Sequence, residues 1–128
     1  MPIILQIAIG GALGAVLRHV VSMQMIRLSG PGFPWGTLSV NVVGSLLMGV
    51  LAALLLRRGD AGLAHFAPFL MTGILGGFTT FSAFSLETLV LIERGRAGLA
   101  LAYAGGSVIA GLAAVFAGIW LFRPGSPT

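Results

Sequence analysis

Residues 72–85 read Thr72-Gly73-Ile74-Leu75-Gly76-Gly77-Phe78-Thr79-Thr80-Phe81-Ser82-Ala83-Phe84-Ser85. Two adjacent glycines are followed by two β-branched threonines, at positions where a continuous helix would favour leucine and alanine. Glycine and β-branched residues both lower helix propensity, for entropic and steric reasons. The pattern therefore predicts that a helix breaks inside this segment.

Apolar residues surround this segment and dominate the whole chain. Of the 128 residues, 57% are hydrophobic and 8% are charged, whereas soluble domains carry about 25% charged residues. Crossing a bilayer takes about 20 apolar residues, and four stretches qualify, at 3–23, 35–56, 66–92 and 97–122. The short connections between them predict a single domain with antiparallel neighbouring helices. We expect an all-α membrane protein of four transmembrane helices, the third broken near its middle.

The arginines divide equally between the two ends of the predicted bundle. The side that holds the termini and the middle loop has Arg57, Arg58 and Arg123. The other side has Arg27, Arg94 and Arg96. An excess of Lys and Arg in cytoplasmic loops normally sets orientation. The tie therefore predicts insertion both ways up and an antiparallel, dual-topology homodimer, paired about an axis in the membrane plane. The alternative is that individual arginines carry unequal weight.

Several function classes are disfavoured by what the sequence contains. The arginines are dispersed and not gathered into a stripe, so nucleic acid is not an expected partner. Cysteine is absent, and His19 and His65 lack metal-ligand spacing. No nucleophile–base pair or metal cluster is recognisable, so we expect neither an enzyme nor an organic cofactor.

A helix break inside hydrocarbon frees backbone carbonyl and amide groups, which is tolerated only where protein or a polar cavity satisfies them. Broken helices in transporters use freed carbonyls to hold cations and half-helix N-termini to attract anions. The alternative interpretation is a packing kink with a bound water.

Aromatic rings and hydroxyl groups share one face after the break. At about 100° per residue, Phe81, Phe84, Ser85 and Thr88 fall on a narrow arc, with Ser82 beside it. Phenylalanine rings carry a positive edge, so two rings presented edge-on beside hydroxyls can stabilise a small, partly dehydrated anion. Core packing is the competing interpretation for the phenylalanine pair.

Two other spans also carry hydrogen-bond donors. The second span offers Thr37 and Asn41, and the fourth offers Tyr103 and Ser107, each pair four residues apart and thus on one face. Ordinary interhelical hydrogen bonds are the alternative use of such residues. Three helices with donor-rich faces indicate a polar path through the bundle.

Two formally charged residues, Arg18 and Glu87, lie within the spans, where such groups are functional hypotheses by default. Arg18 is placed near one interface or in a vestibule beneath it, where its charge would draw anions; a snorkelling anchor is the alternative. Glu87 lies inside the third span. It is protonated, hydrogen-bonded to a neighbouring hydroxyl, or at the wet end of a pore, and the sequence leaves these three states open.

The chain resembles the Fluc or CrcB family of fluoride channels over nearly its whole length. Three motifs carry the resemblance, one in each of the first three spans: Gly10-Gly11-Ala12-Leu13-Gly14-Ala15-Val16-Leu17-Arg18-His19, Gly36-Thr37-Leu38-Ser39-Val40-Asn41-Val42-Val43-Gly44-Ser45 and Gly76-Gly77-Phe78-Thr79-Thr80-Phe81-Ser82-Ala83-Phe84-Ser85-Leu86-Glu87.

The resemblance implies a dual-topology dimer in the bacterial inner (plasma) membrane, with two pores that export cytoplasmic fluoride by passive electrodiffusion. It also implies a structural sodium ion on the dimer axis. The matched positions are Phe81 and Phe84 for the pore rings, Asn41, Tyr103 and Ser107 for polar pore positions, Arg18 for the vestibule, and the backbone carbonyls of Gly76 and Thr79 for sodium.

One residue departs from the family pattern. Ala83 stands where the family usually has threonine, which leaves Thr79, Ser82, Ser85 and Thr88 to supply a hydroxyl track. Two other functions were weighed: a small dual-topology multidrug or organic-cation exporter, and a purely structural membrane subunit. The exporter would need an embedded carboxylate early in the bundle, where this chain has arginine. The subunit would need neither a helix break nor donor-rich faces.

Overall fold

The computed structural model describes residues 1–58 and 61–123. All described secondary structure is helical, in the order α1 (Ile3–Ser29), α2 (Trp35–Arg58), α3 (Ala61–Ala67), a π-helix (Pro68–Leu75), α4 (Gly76–Phe78), α5 (Phe81–Glu93) and α6 (Ala97–Phe122). Residues 59 and 60, in the middle loop between the second and third spans, lie outside the described chain.

Four helical segments are long and apolar enough to cross a membrane, as expected for a multi-pass protein. They are Ile3–Ser29, Trp35–Leu56, Gly62–Glu93 and Ala97–Phe122. The third combines α3, the π-helix, α4 and α5, and it is bent between α4 and α5. The first continues past residue 23 as far as Ser29.

Glycine residues with positive φ close two of the connections. Gly30 has φ 73° and donates its N–H to the Ile26 carbonyl at 2.8 Å, which ends α1. Gly95 has φ 75° in the turn between α5 and α6. This left-handed region is costly for residues with a Cβ, so both positions favour glycine.

The single chain buries few side chains completely and leaves many of its large apolar side chains exposed. Val40 and Ala53 are fully buried and Ala100 is 2% exposed, whereas Ile4 is 79% and Leu28 80% exposed on the surface of the chain. Lipid supplies no hydrophobic drive for helices to associate, so membrane bundles rely on close packing of small residues. The exposed apolar surface is what lipid or a second protein chain would cover.

The tightest packing joins α2 to α6 and α1 to the π-helix. At the first contact, a Cβ built on Gly118 would lie 2.8 Å from the Val50 nitrogen. At the second, a Cβ built on Gly10 would lie 2.5 Å from the Phe69 carbonyl oxygen and 2.9 Å from Gly73 Cα. Backbone therefore meets backbone at both interfaces.

The π-helix at Pro68–Leu75 is a feature that the sequence pattern did not predict. Pro68 has no N–H and so cannot donate the usual bond to the preceding turn. In a π-helix each bond spans one more residue than in an α-helix, which widens the turn. The widened segment lies along α1 and leads directly into the bent part of the third span.

Candidate functional site

The third membrane-spanning segment is interrupted at Thr79 and Thr80. α4 ends at Phe78; Thr79 is extended at φ -85° and ψ 156°, and Thr80 at φ -151° and ψ 123°. Branching at Cβ favours extended geometry for threonine. Gly76 and Gly77 remain helical. The predicted interruption is confirmed, and it falls on the threonines that follow the glycine pair.

Asn41 on α2 binds both backbone groups of Thr80. The Thr80 N–H donates to Asn41 Oδ1 at 2.7 Å, and Asn41 Nδ2 donates to the Thr80 carbonyl at 3.0 Å. A single side-chain amide thus replaces the two partners that an intact helix would have provided. Because Nδ2 carries two hydrogens, one donor of Asn41 is not used by this pairing.

Arg18 on α1 binds the other side of the break. Its Nε donates to the Gly77 carbonyl at 3.1 Å, which places a positive charge at the C-terminal end of α4, where the helix dipole favours cations. Thr79 adds a local bond, because its Oγ1 donates to the Leu75 carbonyl at 2.9 Å. The arginine predicted to line a vestibule therefore lies beside the break.

Thr80 also begins the next helix with its side chain. Its Oγ1 accepts the N–H of Ala83 at 3.1 Å, the bond of a helix N-cap. The Ser82 hydroxyl lies 3.3 Å from the same oxygen. The backbone of Thr80 is thus fixed by α2 while its hydroxyl fixes the start of α5.

The two phenylalanines predicted to line a pore follow this cap on α5. Their ring centroids lie 5.7 Å apart, with the planes tilted by 46°. Phe84 is half-buried, and its ring lies 5.2 Å from that of Tyr103. Phe81 is 78% exposed. Protein therefore holds one ring, while the other projects from the surface of the single chain.

Two hydroxyls of the predicted track donate within their own helix. Ser85 Oγ donates to the Phe81 carbonyl at 2.9 Å, and Thr88 Oγ1 donates to the Phe84 carbonyl at 2.8 Å. A hydroxyl has one proton to donate. Each must rotate away from its carbonyl before it can donate to an ion.

The polar residues of the fourth span meet those of the second and third. The Tyr103 hydroxyl donates to Glu87 Oε1 at 3.2 Å, with Tyr103 buried and the buried Thr37 beside it. Of the three states left open for Glu87, the structure shows hydrogen bonding to a hydroxyl. Ser107 Oγ is buried, and within the described chain it has no hydrogen-bond partner.

Some of the predicted site residues border one of two cavities in the single chain, whereas others, among them Arg18, Phe84 and Tyr103, line neither. One of about 260 Å³ is lined in part by Thr37 and Glu87. The other, of about 290 Å³, is lined in part by Asn41, Thr80 and Phe81. The two cavities share no lining residue. The ring of Phe84 contacts those of Phe81 and Tyr103, and so connects the residues at the second cavity to those around Glu87.

The expected sodium ligands lie at the break. Gly76 is the first residue of the three-residue α4 and Thr79 is its C-cap. Both lie in the last turn before the break, where a helix leaves carbonyl groups without intrahelical donors. Carbonyl oxygens suit hard cations, and the helix dipole is negative there, so the donor set fits such an ion. No group of three or more His, Cys, Asp or Glu able to hold a metal is found in residues 1–58 and 61–123.

The roles of Asn41 and Arg18 at the break backbone were not predicted from the sequence. Both contacts join residues far apart in the chain, with separations of 39 and 59 positions, so no local pattern reports them. The buried Gln6, whose Nε2 donates to the Met1 carbonyl at 3.2 Å, was also missed. The available signal was a polar side chain inside an apolar span.

Comparisons with known proteins show the family to which the sequence belongs. The family described as CrcB-like protein, Camphor Resistance (CrcB), matches residues 5–119. A protein of Cereibacter sphaeroides named fluoride-specific ion channel FluC is 58% identical over 120 residues, 94% of each chain. A protein of the same name from Paracoccus denitrificans is 58% identical over 93% of each chain. Another, from Agrobacterium fabrum, is 52% identical over 91% of this chain and 93% of the relative. The chain therefore belongs to the CrcB family.

Proposed function

We propose that this protein is a fluoride-selective channel that exports cytoplasmic fluoride by passive electrodiffusion across the bacterial inner membrane. The observation that carries the proposal is 58% sequence identity, over nearly the full length of the chain, to relatives named fluoride-specific ion channels. Four membrane-capable helices suit a channel and a multi-pass protein. Membership of the CrcB family favours the channel over an organic-cation exporter and over an enzyme.

The working unit in this proposal is an antiparallel homodimer with two pores. The equal arginine count at the two ends supports insertion in both orientations. Phe81 projects from the surface of the chain beside the open cavity that also contains Asn41. A second copy over this face would enclose the ring and the cavity, and would turn an exposed half-site into a lined path.

The ion path uses ring edges and hydroxyl donors. Arg18 draws the anion by its charge, and the ion passes Asn41 to a position between the positive edges of Phe81 and Phe84. Ser82 and Ser85 donate after rotation of their hydroxyls. A channel site must replace hydration without holding the ion too firmly, and weak ring-edge contacts meet that requirement.

The polar residues around Tyr103 and Glu87 extend the path along α5, beyond Phe84. Ser107 supplies a buried hydroxyl that its own chain leaves without a partner. Tyr103 shares its proton with Glu87, so the pair can donate to an anion only if the phenol turns from the carboxylate. Thr37 and Thr88 are the nearby hydroxyls that complete this end of the path.

A structural sodium ion belongs to the same proposal. The backbone carbonyls of Gly76 and Thr79 would hold it at the dimer axis. Its charge would neutralise the carbonyl dipoles freed by the break and stabilise the pairing of two copies.

The test is fluoride release from liposomes loaded with fluoride and followed with a fluoride electrode. The parental protein should release fluoride when valinomycin supplies counter-current, without an imposed proton gradient. Phe81→Ile and Phe84→Ile should each slow release by roughly tenfold, the equivalent of about 1.4 kcal/mol in barrier height. Phe116→Ile is the matched control, because Phe116 on α6 is 77% exposed and lies outside the proposed path.

Two results would contradict the proposal. Release that depends on a proton gradient would indicate an exchanger. Parental rates for both Phe81→Ile and Phe84→Ile would show that the rings do not line the path.

A further inference from the structure

We infer that Asn41 is a positioning residue: it fixes the backbone of Thr80 and thereby the direction in which Phe81 and Phe84 project. Its effect on transport passes through the helix break, and direct contact with the ion is secondary. The transport part of this inference rests on the proposed channel function. The structural part stands on the geometry of the break.

The pairing between Asn41 and Thr80 is reciprocal. The side-chain amide accepts at 2.7 Å and donates at 3.0 Å to the two backbone groups of one residue, as a neighbouring strand does for a residue in a β-ladder. Thr80 is extended at φ -151° and ψ 123° and is 9% exposed. Backbone groups buried within a membrane require partners, and Asn41 provides both.

Removal of the Asn41 side-chain amide leaves the Thr80 N–H and the Thr80 carbonyl without their hydrogen-bond partner. Thr80 can recover them only by changing its backbone angles toward a helix or by admitting water. Either change moves its Oγ1, which caps α5 through the N–H of Ala83. Phe81 is the next residue after this cap and Phe84 lies one turn later. Both rings therefore turn with the start of α5.

The hydrogen-bonding atoms of Asn41 distinguish a positioning role from direct contact with the ion. One hydrogen of Nδ2 is used at the Thr80 carbonyl, and Oδ1 is an acceptor that repels anions. An Asn41 that acted mainly on the ion would tolerate loss of the Thr80 N–H. An Asn41 that acts through the break would not.

The first experiment removes that N–H and leaves the asparagine intact. Thr80 is replaced by its α-hydroxy acid analogue through nonsense suppression, so that the amide becomes an ester. The ester also weakens the Thr79 carbonyl, but a defect from that source would persist in Asn41→Leu and multiply with it. We expect the ester at 80 and Asn41→Leu each to lower fluoride release at least about tenfold, because a buried polar group loses its partner. Combined, they should lower it little further than Asn41→Leu alone.

A change elsewhere in the path shows that the assay still registers an added defect. Tyr103→Phe removes the hydroxyl that donates to Glu87 and makes no change at Asn41 or Thr80. Its effect on fluoride release should multiply fully with that of Asn41→Leu. A parental rate for the ester at 80, or an effect at 80 that multiplies fully with Asn41→Leu, would overturn the inference.

A ¹⁹F NMR measurement tests the position of the Phe81 ring independently of transport. A trifluoromethyl-phenylalanine at position 81 should change its ¹⁹F resonance in Asn41→Leu, whereas the same label at the exposed Phe116 should not. An unchanged resonance at 81 would refute the positioning role even if flux fell. Absence of fluoride release by the parental protein would instead refute the channel proposal, and the ¹⁹F result would still decide the role of Asn41.

Discussion

Gly10→Ala tests whether close packing of α1 on the π-helix stabilises the fold. The added methyl would lie 2.5 Å from the Phe69 carbonyl oxygen, where ordinary contact begins at 3.4 Å, so the two backbones must separate by about 0.9 Å. Overpacking of this kind costs about 1–3 kcal/mol. The nearest atoms of Gly73 and Ile74 stand at 2.9 Å and are also backbone, so no flexible side chain can move aside.

Gly11→Ala is the matched control for this change. Its methyl would meet no atom outside its own helical turn within 4 Å in residues 1–58 and 61–123, yet it gains the same helix propensity of about 1 kcal/mol over glycine. The difference between the two variants therefore isolates packing, and we expect Gly10→Ala to be less stable than Gly11→Ala by about 1–3 kcal/mol. The assay is reversible denaturant unfolding in mixed micelles. Equal unfolding free energies for the two variants would refute the reasoning.

Substitutions at three further residues test contacts at the break and at the Glu87 end of the proposed path. Thr80→Val should lower the unfolding free energy by about 1 kcal/mol through loss of the N-cap, whereas Thr80→Ser should retain it; equal losses would contradict the cap. Arg18→Gln and Arg18→Lys should both destabilise by about 1 kcal/mol if the guanidinium bond to Gly77 matters, and a parental value for Arg18→Lys would assign the effect to charge alone. Tyr103→Phe leaves Glu87 without its hydroxyl partner and should slow fluoride release in liposomes; a parental rate would remove this pair from the path.

The sequence predicted the class of fold because that class follows from composition. Few charged residues and four long apolar stretches leave little choice but a membrane bundle. The break was also predictable, since the paired threonines at 79 and 80 disfavour helix on their own. Its position two residues after Gly77 was not, because Gly77 packs against Gly11 on α1 and its carbonyl accepts a hydrogen bond from Arg18.

The unpredicted features depend on contacts between distant parts of the chain. The π-helix forms where Pro68 removes a donor and where Gly10 lets α1 approach, and neither residue alone specifies it. The pairing of Asn41 with Thr80 joins two helices 39 positions apart. A sequence pattern could mark Asn41 as a polar residue in an apolar span, and its donor atoms suggested an ion path. Only the fold shows that both ends of the amide meet backbone.

The break draws its interhelical partners from segments that precede it in the chain. Arg18 and Asn41 are both translated before residues 77–80, and α6 supplies none of these bonds. The ribosome therefore delivers both of these side chains by the time the interrupted segment reaches the translocon. Biosynthesis of the kinked shape need not wait for the final helix to emerge.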